Sequence, residues 1–197
     1  MRTPSLFALI ALAALLPGAA LAKVDPRMSS VDPVVFGDTG DTRAFRVQLR
    51  GVDNAPSAGI VTLDFSGSPV RLEATQEAGT TVNCAAHTLS RPAGAFGQPD
   101  YGRAEFHPRF GGGCPGADVV VLGDGLVLAH VPARSTDLDG IGGTDLHDLA
   151  LFSGAFLREA AGHPEMDFDG SGGTLGLGDL VLLGRAFLAG SGGSYCP

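Results

Sequence analysis

The sequence predicts a mainly β protein, in which an antiparallel sandwich of short strands is followed by a small module of two helices. Over most of the chain, apolar and polar residues alternate in short runs separated by turn residues, which is the period of half-buried strands. Near the carboxyl end, a loop rich in aspartate and glycine occurs twice, each time followed by apolar residues at helical spacing.

Residues 1–22 are predicted to be a secretory signal peptide. A basic start precedes a short apolar run, and Ala20-Leu21-Ala22 has the small-residue pattern of a cleavage site. A membrane anchor is the alternative, but Pro17 ends the apolar run before the roughly 20 residues that a spanning helix needs. We therefore expect a protein that is secreted, extracellular or on the cell surface, without a membrane span.

Strand signals fill the predicted β domain, residues 33–131. Phe45, Val47 and Leu49 alternate with polar residues, and Gly123-Asp124-Gly125 between two apolar runs indicates a hairpin. One further strand is expected to place Val82, Cys84, Ala86 and Thr88 on a common face. A short linker is expected around residues 132–135.

The β domain resembles bacterial Ig-like domains of the invasin and intimin (Big-1) type. The likeness is carried by residues 47–53, 58–65 and 100–106, which read VQLRGVD, AGIVTLDF and DYGRAEF. This resemblance implies an Ig-like spacer or adhesion domain without catalytic activity.

The chain contains three cysteines, and export would permit a disulfide. We expect a Cys84–Cys114 bond, because both residues fall in the β-rich region, and such a loop closure is worth roughly 3–4 kcal/mol. Cys196 lies in a glycine- and serine-rich tail, residues 191–197, which is predicted to be flexible. It is expected to be unpaired or to pair with another chain.

The acidic loops begin at Asp137 and Asp167, and both start Asp-x-Asp-Gly and continue with Gly-Gly-Thr. The segments that follow, residues 148–157 and 179–188, agree at six of ten positions and are 31 residues apart. An internal duplication of a loop–helix unit is therefore predicted for residues 136–190. The apolar stripes are expected to be Leu149, Phe152, Phe156 and Leu157 in one helix and Leu180, Leu183, Phe187 and Leu188 in the other.

This pattern has the chemistry of a calcium site. Calcium takes about six to eight oxygen ligands. An EF-hand loop supplies them at alternating positions around a glycine, and a helix begins at the end of the loop. The closing aspartate also lies at a helix start, where the helix dipole favours an anion. The candidate calcium ligands are Asp137, Asp139, Gly143, Asp145 and Asp148 in the first loop and Asp167, Asp169, Ser171, Gly173 and Asp179 in the second.

Two tandem loop–helix units of this kind resemble a dockerin domain, with EF-hand-like loops that lack the entering helix. The resemblance implies calcium-dependent folding and docking to a cohesin-like or cell-surface protein. Ile141 replaces an oxygen donor at loop position 5, and the second loop is one residue longer, so both sites are expected to be weaker than a full set. The alternative is a pair of solvated Asp-Gly turns without metal.

The acidic C-terminal part of the chain and its lack of catalytic motifs limit the functions that we expect. Residues 131–197 hold nine of the 21 acidic residues but three of the 13 basic ones, which disfavours nucleic acid and anionic membranes as partners. The chain has no nucleophile elbow or phosphate-binding loop, and we do not expect an enzyme. Polysaccharide binding by the β domain, with the C-terminal module as a tether, is the alternative function. A small hydrolase using Asp64, Glu73 or Glu105 is a third.

Overall fold

The computed structural model describes residues 23–37, 43–112, 117–158, 162–172, 175–189 and 194–197. The predicted signal peptide, Cys114 and Gly173 lie outside these residues. The strands are β1 (Ser30–Val31), β2 (Val35–Gly37), β3 (Phe45–Gln48), β4 (Ile60–Asp64), β5 (Arg71–Leu72), β6 (Thr81–Asn83), β7 (Thr88–Pro92), β8 (Arg103–Phe106), β9 (Phe110–Gly111), β10 (Asp118–Gly123) and β11 (Leu126–Ser135). The helices are α1 (Leu146–Arg158), a 3₁₀ helix (Pro164–Met166) and α2 (Leu177–Ala189).

The prediction of a mainly β fold is confirmed. The strands form a six-stranded sheet in the order β2-β11-β10-β4-β7-β6, a three-stranded sheet β1-β3-β8 and a two-stranded sheet β5-β9. Within the described residues the strand pairs are antiparallel, apart from the parallel pair of β2 and β11. All three sheets contribute side chains to one hydrophobic core.

Local sequence signals explain much of this β region. In β3, Phe45 and Val47 are buried while Arg46 between them is exposed, so the alternation places one face against the core. Asp124 and Gly125 join β10 to β11 with φ values of 49° and 80°. Two consecutive positive φ angles are what a tight two-residue hairpin requires, and Asp-Gly supplies them at low steric cost.

Two boundary predictions were wrong. The single strand expected from Val82 to Thr88 is instead a hairpin of β6 and β7, in which residues 84–87 form the turn and His87 adopts a φ of 57°. The expected linker at residues 132–135 is the end of β11, which pairs in parallel with β2. The chain therefore runs from the large sheet into the first acidic loop without a flexible connection.

The predicted disulfide was also wrong, because Cys84 pairs with Cys196. The carboxyl-terminal residues explain this pairing. Tyr195 forms a β-bridge with Glu73, and the Cys196 N–H donates to the carbonyl of Leu72 at 2.7 Å. These contacts carry Cys196 into the β core, so residues 194–197, expected to be part of a flexible tail, are held against the β region.

The two helices share a second, smaller core. It is built from Phe152 and Leu183 with Leu138, Ala155, Met166, Phe168 and Leu175. Leu157 and Leu188, expected in the apolar stripes, are instead more than four-fifths exposed because they lie on the outer faces of their helices. In the part of the chain that the structure describes, no helix has the length and apolar character to cross a membrane.

Candidate metal centre

The first acidic loop connects β11 to α1 and brings three of its predicted ligands together. Asp137, Asp139 and Asp148 each place a carboxylate oxygen within 4.8 Å of the other two. Asp137 and Asp148 are buried, and Asp139 is partly exposed. Residues at the first, third and last positions of the loop therefore lie close together.

Backbone hydrogen bonds hold this loop closed. Asp137 Oδ1 accepts the N–H of Gly140 at 2.8 Å, and Asp148 accepts the N–H of Leu138 at 2.6 Å and that of Asp145 at 2.7 Å. The closing aspartate thus joins the beginning of the loop to the beginning of α1. Sharp turning is possible because Gly140, Gly142 and Gly143 all have positive φ angles of 71° to 84°.

Asp145 and Gly143, also predicted as ligands, are placed differently from the triad. Asp145 is exposed, and its Oδ1 accepts the N–H of His147 at 2.6 Å. Asp145 lies immediately before α1, where a carboxylate satisfies an unpaired N–H of the first helical turn. This capping role explains why Asp145 does not join the other three carboxylates. Gly143 is buried within the loop.

The second loop repeats this arrangement between the 3₁₀ helix and α2. Asp167, Asp169 and Asp179 again place carboxylate oxygens within 4.8 Å of one another. Asp179 accepts the N–H of Asp169 at 2.9 Å and that of Gly176 at 2.8 Å. The extra residue of this loop therefore does not prevent its closing aspartate from reaching the triad.

The predicted ligand Ser171 is held in the second loop through its backbone. Its N–H donates to Asp167 Oδ1 at 2.9 Å and to Asp169 Oδ1 at 2.8 Å. Ile141 has the same position in the first loop, and its N–H donates to Oδ1 of Asp137 at 3.2 Å and of Asp139 at 2.8 Å. The duplication seen in the sequence is therefore also a duplication of hydrogen bonds.

The electrostatics of the first loop favour a cation. Burial raises the pKa of Asp137 and of Asp148, against opposing hydrogen bonds to each carboxylate. Burial also acts to raise the pKa of Asp139, but hydrogen bonds from His147 and from the N–H of Ile141 outweigh it and the pKa is lowered. Neighbouring carboxylates that are desolvated repel one another when ionised, and a bound cation relieves that repulsion.

The donor atoms fit a hard cation. Both triads offer carboxylate oxygens, which suit calcium or magnesium better than a soft transition metal. In the second loop, Asp169 Oδ2 packs closely against the start of α2, where a Cβ added to Gly178 would lie 2.1 Å from it. Calcium accepts flexible oxygen cages more readily than magnesium, which dehydrates reluctantly.

Two residues that the sequence did not single out contact the first aspartate of each loop. The Tyr195 hydroxyl donates to Asp137 Oδ2, and Arg134 Nη1 lies 3.2 Å from Asp167 Oδ2. Arg134 also donates to the carbonyl of Asp167. Neither contact has a local signal, because Tyr195 is 58 residues from Asp137 and Arg134 is 33 residues from Asp167.

No family model matches this chain, and no curated protein or solved structure shows significant similarity to it. The fold and the site define its class as a mainly β protein that carries two carboxylate-lined loop–helix units able to hold a metal ion.

Proposed function

We propose that this chain is a secreted, non-catalytic attachment protein whose dockerin-like loop–helix units bind calcium. The observation that carries the proposal is that two loops of different length converge on the same geometry, with three carboxylates drawn together and closed by the aspartate at the helix start. Such convergence of like charges is stabilised by a divalent cation that only the folded state binds.

Attachment is supported by the outer surface of the helix pair. Leu146 and Leu177 are exposed at the starts of the two helices, and Leu157 and Leu188 are exposed near their ends. A cleft of about 600 Å³ runs beside α2, and its lining includes Leu177 and Val181 with charged Arg43, Asp169 and Arg185. Apolar residues that line an exposed groove are a feature of protein interaction sites. We propose that the occupant is an apolar side chain of a partner protein, which packs against Leu177 and Val181.

In this proposal the β domain acts as an Ig-like spacer that carries the helix pair. The end of β11 feeds directly into the first loop, and Ser135 Oγ donates to the carbonyls of Gly37 and Phe110 at 2.9 and 2.8 Å. Ser135 Oγ also accepts the N–H of Asp137 at 3.2 Å, so the first loop is linked to the sheets.

Calcium calorimetry and thermal unfolding of residues 23–197, with calcium and then with EDTA, test the metal binding. We expect two bound ions, and calcium at about 1,000 times its Kd adds roughly 4 kcal/mol to the free energy of unfolding per site. An unchanged melting profile and no binding heat at millimolar calcium would refute the proposal.

The attachment function is tested by pull-down from the host's secreted fraction. A partner that supports the proposal is retained with calcium, lost with EDTA, and lost with the double variant L177S/V181S, whose melting temperature in calcium should match that of the wild type. Both residues are more than half exposed, so their replacement should change stability by less than about 0.5 kcal/mol. A partner retained equally in all three conditions contradicts this function.

A further inference from the structure

The carboxyl-terminal residues 194–197, here called the C-terminal strap, lie along β5 in the β region. The Ala74 N–H donates to the carbonyl of Ser194 at 2.8 Å, and the Cys196 N–H donates to the carbonyl of Leu72 at 2.7 Å. Between these hydrogen bonds, Tyr195 bridges to Glu73, and the Cys84–Cys196 disulfide follows directly. Two backbone hydrogen bonds and one covalent bond therefore fix the position of Tyr195.

From this position the Tyr195 side chain reaches the first acidic loop. Its hydroxyl donates to Asp137 Oδ2, while Asp137 Oδ1 accepts backbone N–H groups of the loop. A Cβ added to Gly111 would lie 2.2 Å from Asp137 Oδ2 and 2.5 Å from the Tyr195 hydroxyl, so glycine is needed there. With partners on both oxygens, the Asp137 carboxylate has a defined orientation.

Arg71 makes a second connection between the strap and the loop. Its guanidinium lies 5.2 Å from the centre of the Tyr195 ring, and its Nη1 donates to the carbonyl of Gly140 at 3.1 Å. Gly140 is the fourth residue of the first loop. The loop is also joined to β9, because the Gly112 N–H donates to the carbonyl of Asp137 at 2.7 Å.

We propose that Tyr195 is a positioning residue for the first calcium site, and that the Cys84–Cys196 disulfide keeps it in place. This inference rests on the proposed calcium binding. Outer-shell hydrogen bonds orient metal ligands, and their loss typically lowers metal affinity about 10- to 100-fold. The affinity of the first loop should thus depend on a disulfide in the β region, whereas the second loop should not share that dependence.

The redox step is a thiol–disulfide exchange with a dithiol such as dithiothreitol. One thiolate of the reductant attacks a sulfur of the Cys84–Cys196 bond, and its second thiol then closes a ring, so the reductant is oxidised and two protein thiols form. The strap then keeps only its hydrogen bonds, and Tyr195 is no longer covalently held beside Asp137.

The first measurement uses terbium(III) as a luminescent substitute for calcium in residues 23–197 carrying D179N, which leaves only the first site. The chain has no Trp and two Tyr residues, so excitation of tyrosine sensitises only an ion near one of them. Tyr101, the matched control, contacts Phe96 and bridges to Gly94 in the β region. We expect Y195F to abolish the sensitised emission and Y101F to retain it. Emission that survives Y195F contradicts the inference.

The second measurement compares calcium affinities by calorimetry, with C114S added so that the third cysteine cannot exchange. Y195F should weaken the first site about tenfold and leave the second unchanged. Dithiothreitol should weaken the first site of the parent protein and have no additional effect on Y195F. Equal affinities in Y195F and the parent, or equal weakening of both sites, would overturn the inference. If the parent binds no calcium at all, the proposed function itself has failed.

Discussion

The two acidic loops share one hydrogen-bonding scheme but differ in what contacts their first aspartate. Asp137 in the first loop receives a neutral hydroxyl from Tyr195, whereas Asp167 in the second pairs with the guanidinium of Arg134. That ion pair is largely buried, with 12% of the Arg134 side chain and 3% of the Asp167 side chain exposed. The Arg134 guanidinium competes with a calcium ion for Asp167, so the two loops are expected to have different calcium affinities although they share one geometry.

The number of carboxylates points in the same direction. The first loop carries Asp145 near its end, while the second has no acidic residue between Asp169 and Asp179. Asp145 caps α1 rather than joining the triad, yet its charge still favours a nearby cation. We therefore expect the first site to bind calcium more tightly than the second.

Replacing the closing aspartates should have the largest effect and assigns each binding event to a loop. D148N removes an anionic ligand and weakens its hydrogen bonds to Leu138 and Asp145, and D179N does the same in the second loop. Each variant should lose one of the two binding events seen by calorimetry. The calcium affinity of the changed loop should fall by more than the roughly 10- to 100-fold that is typical of outer-shell changes.

The event lost in D148N should be the tighter one. If D148N retains two events, the first loop is not a calcium site. If D179N loses the tighter event, the order of affinities given above is reversed.

Replacing Arg134 tests whether the resident cation sets the difference. R134Q removes the cationic partner from a largely buried ion pair, which should destabilise the calcium-free protein by about 3 kcal/mol. A unit charge and a divalent ion roughly 6 Å apart repel by about 1.4 kcal/mol even at the dielectric constant of water. The second site of R134Q should therefore bind calcium about tenfold more tightly.

R134K is the matched control, because it keeps the charge and should keep the wild-type affinity of the second site. The measurements are calorimetry in the D148N background and thermal unfolding with and without calcium. A second site that is weaker in R134Q than in R134K would show that Arg134 supports calcium binding instead of opposing it.

The acidic triads could be predicted from sequence because the interactions that build them are local. Asp137, Asp139 and Asp148 lie within twelve residues, and the glycines between them allow the turns that bring the carboxylates together. Asp145 shows that one local position can serve two purposes. Its place in the loop predicts a ligand, and its place directly before α1 makes it a helix cap, as its hydrogen bond from the His147 N–H shows.

The contacts that distinguish the two loops could not be predicted in the same way. The Cys84–Cys196 bond spans 112 residues and depends on the strap pairing with β5, for which the sequence has no periodic signal. Arg134 lies in the segment expected to be a linker, residues 132–135, yet the segment continues β11 and brings Arg134 to Asp167. Both the disulfide and the contact of Arg134 with Asp167 depend on strand pairing between distant parts of the chain, which local propensity does not predict.

Replacing Ile141 should have the smallest effect and should alter the calcium affinity of the first loop alone. It is 63% exposed at position 5 of the first loop, and its contacts with Asp137 and Asp139 use its backbone N–H, which any residue other than proline retains. I141D therefore adds a carboxylate without removing core packing.

We expect the first site of I141D to bind calcium roughly tenfold more tightly, because ligand charge count is one of the factors that tune such loops. I141N adds an oxygen without a charge and should give a smaller gain, as measured by calorimetry in the D179N background. If neither variant tightens the site, position 5 does not face the ion, and the loop departs from the EF-hand pattern at that point.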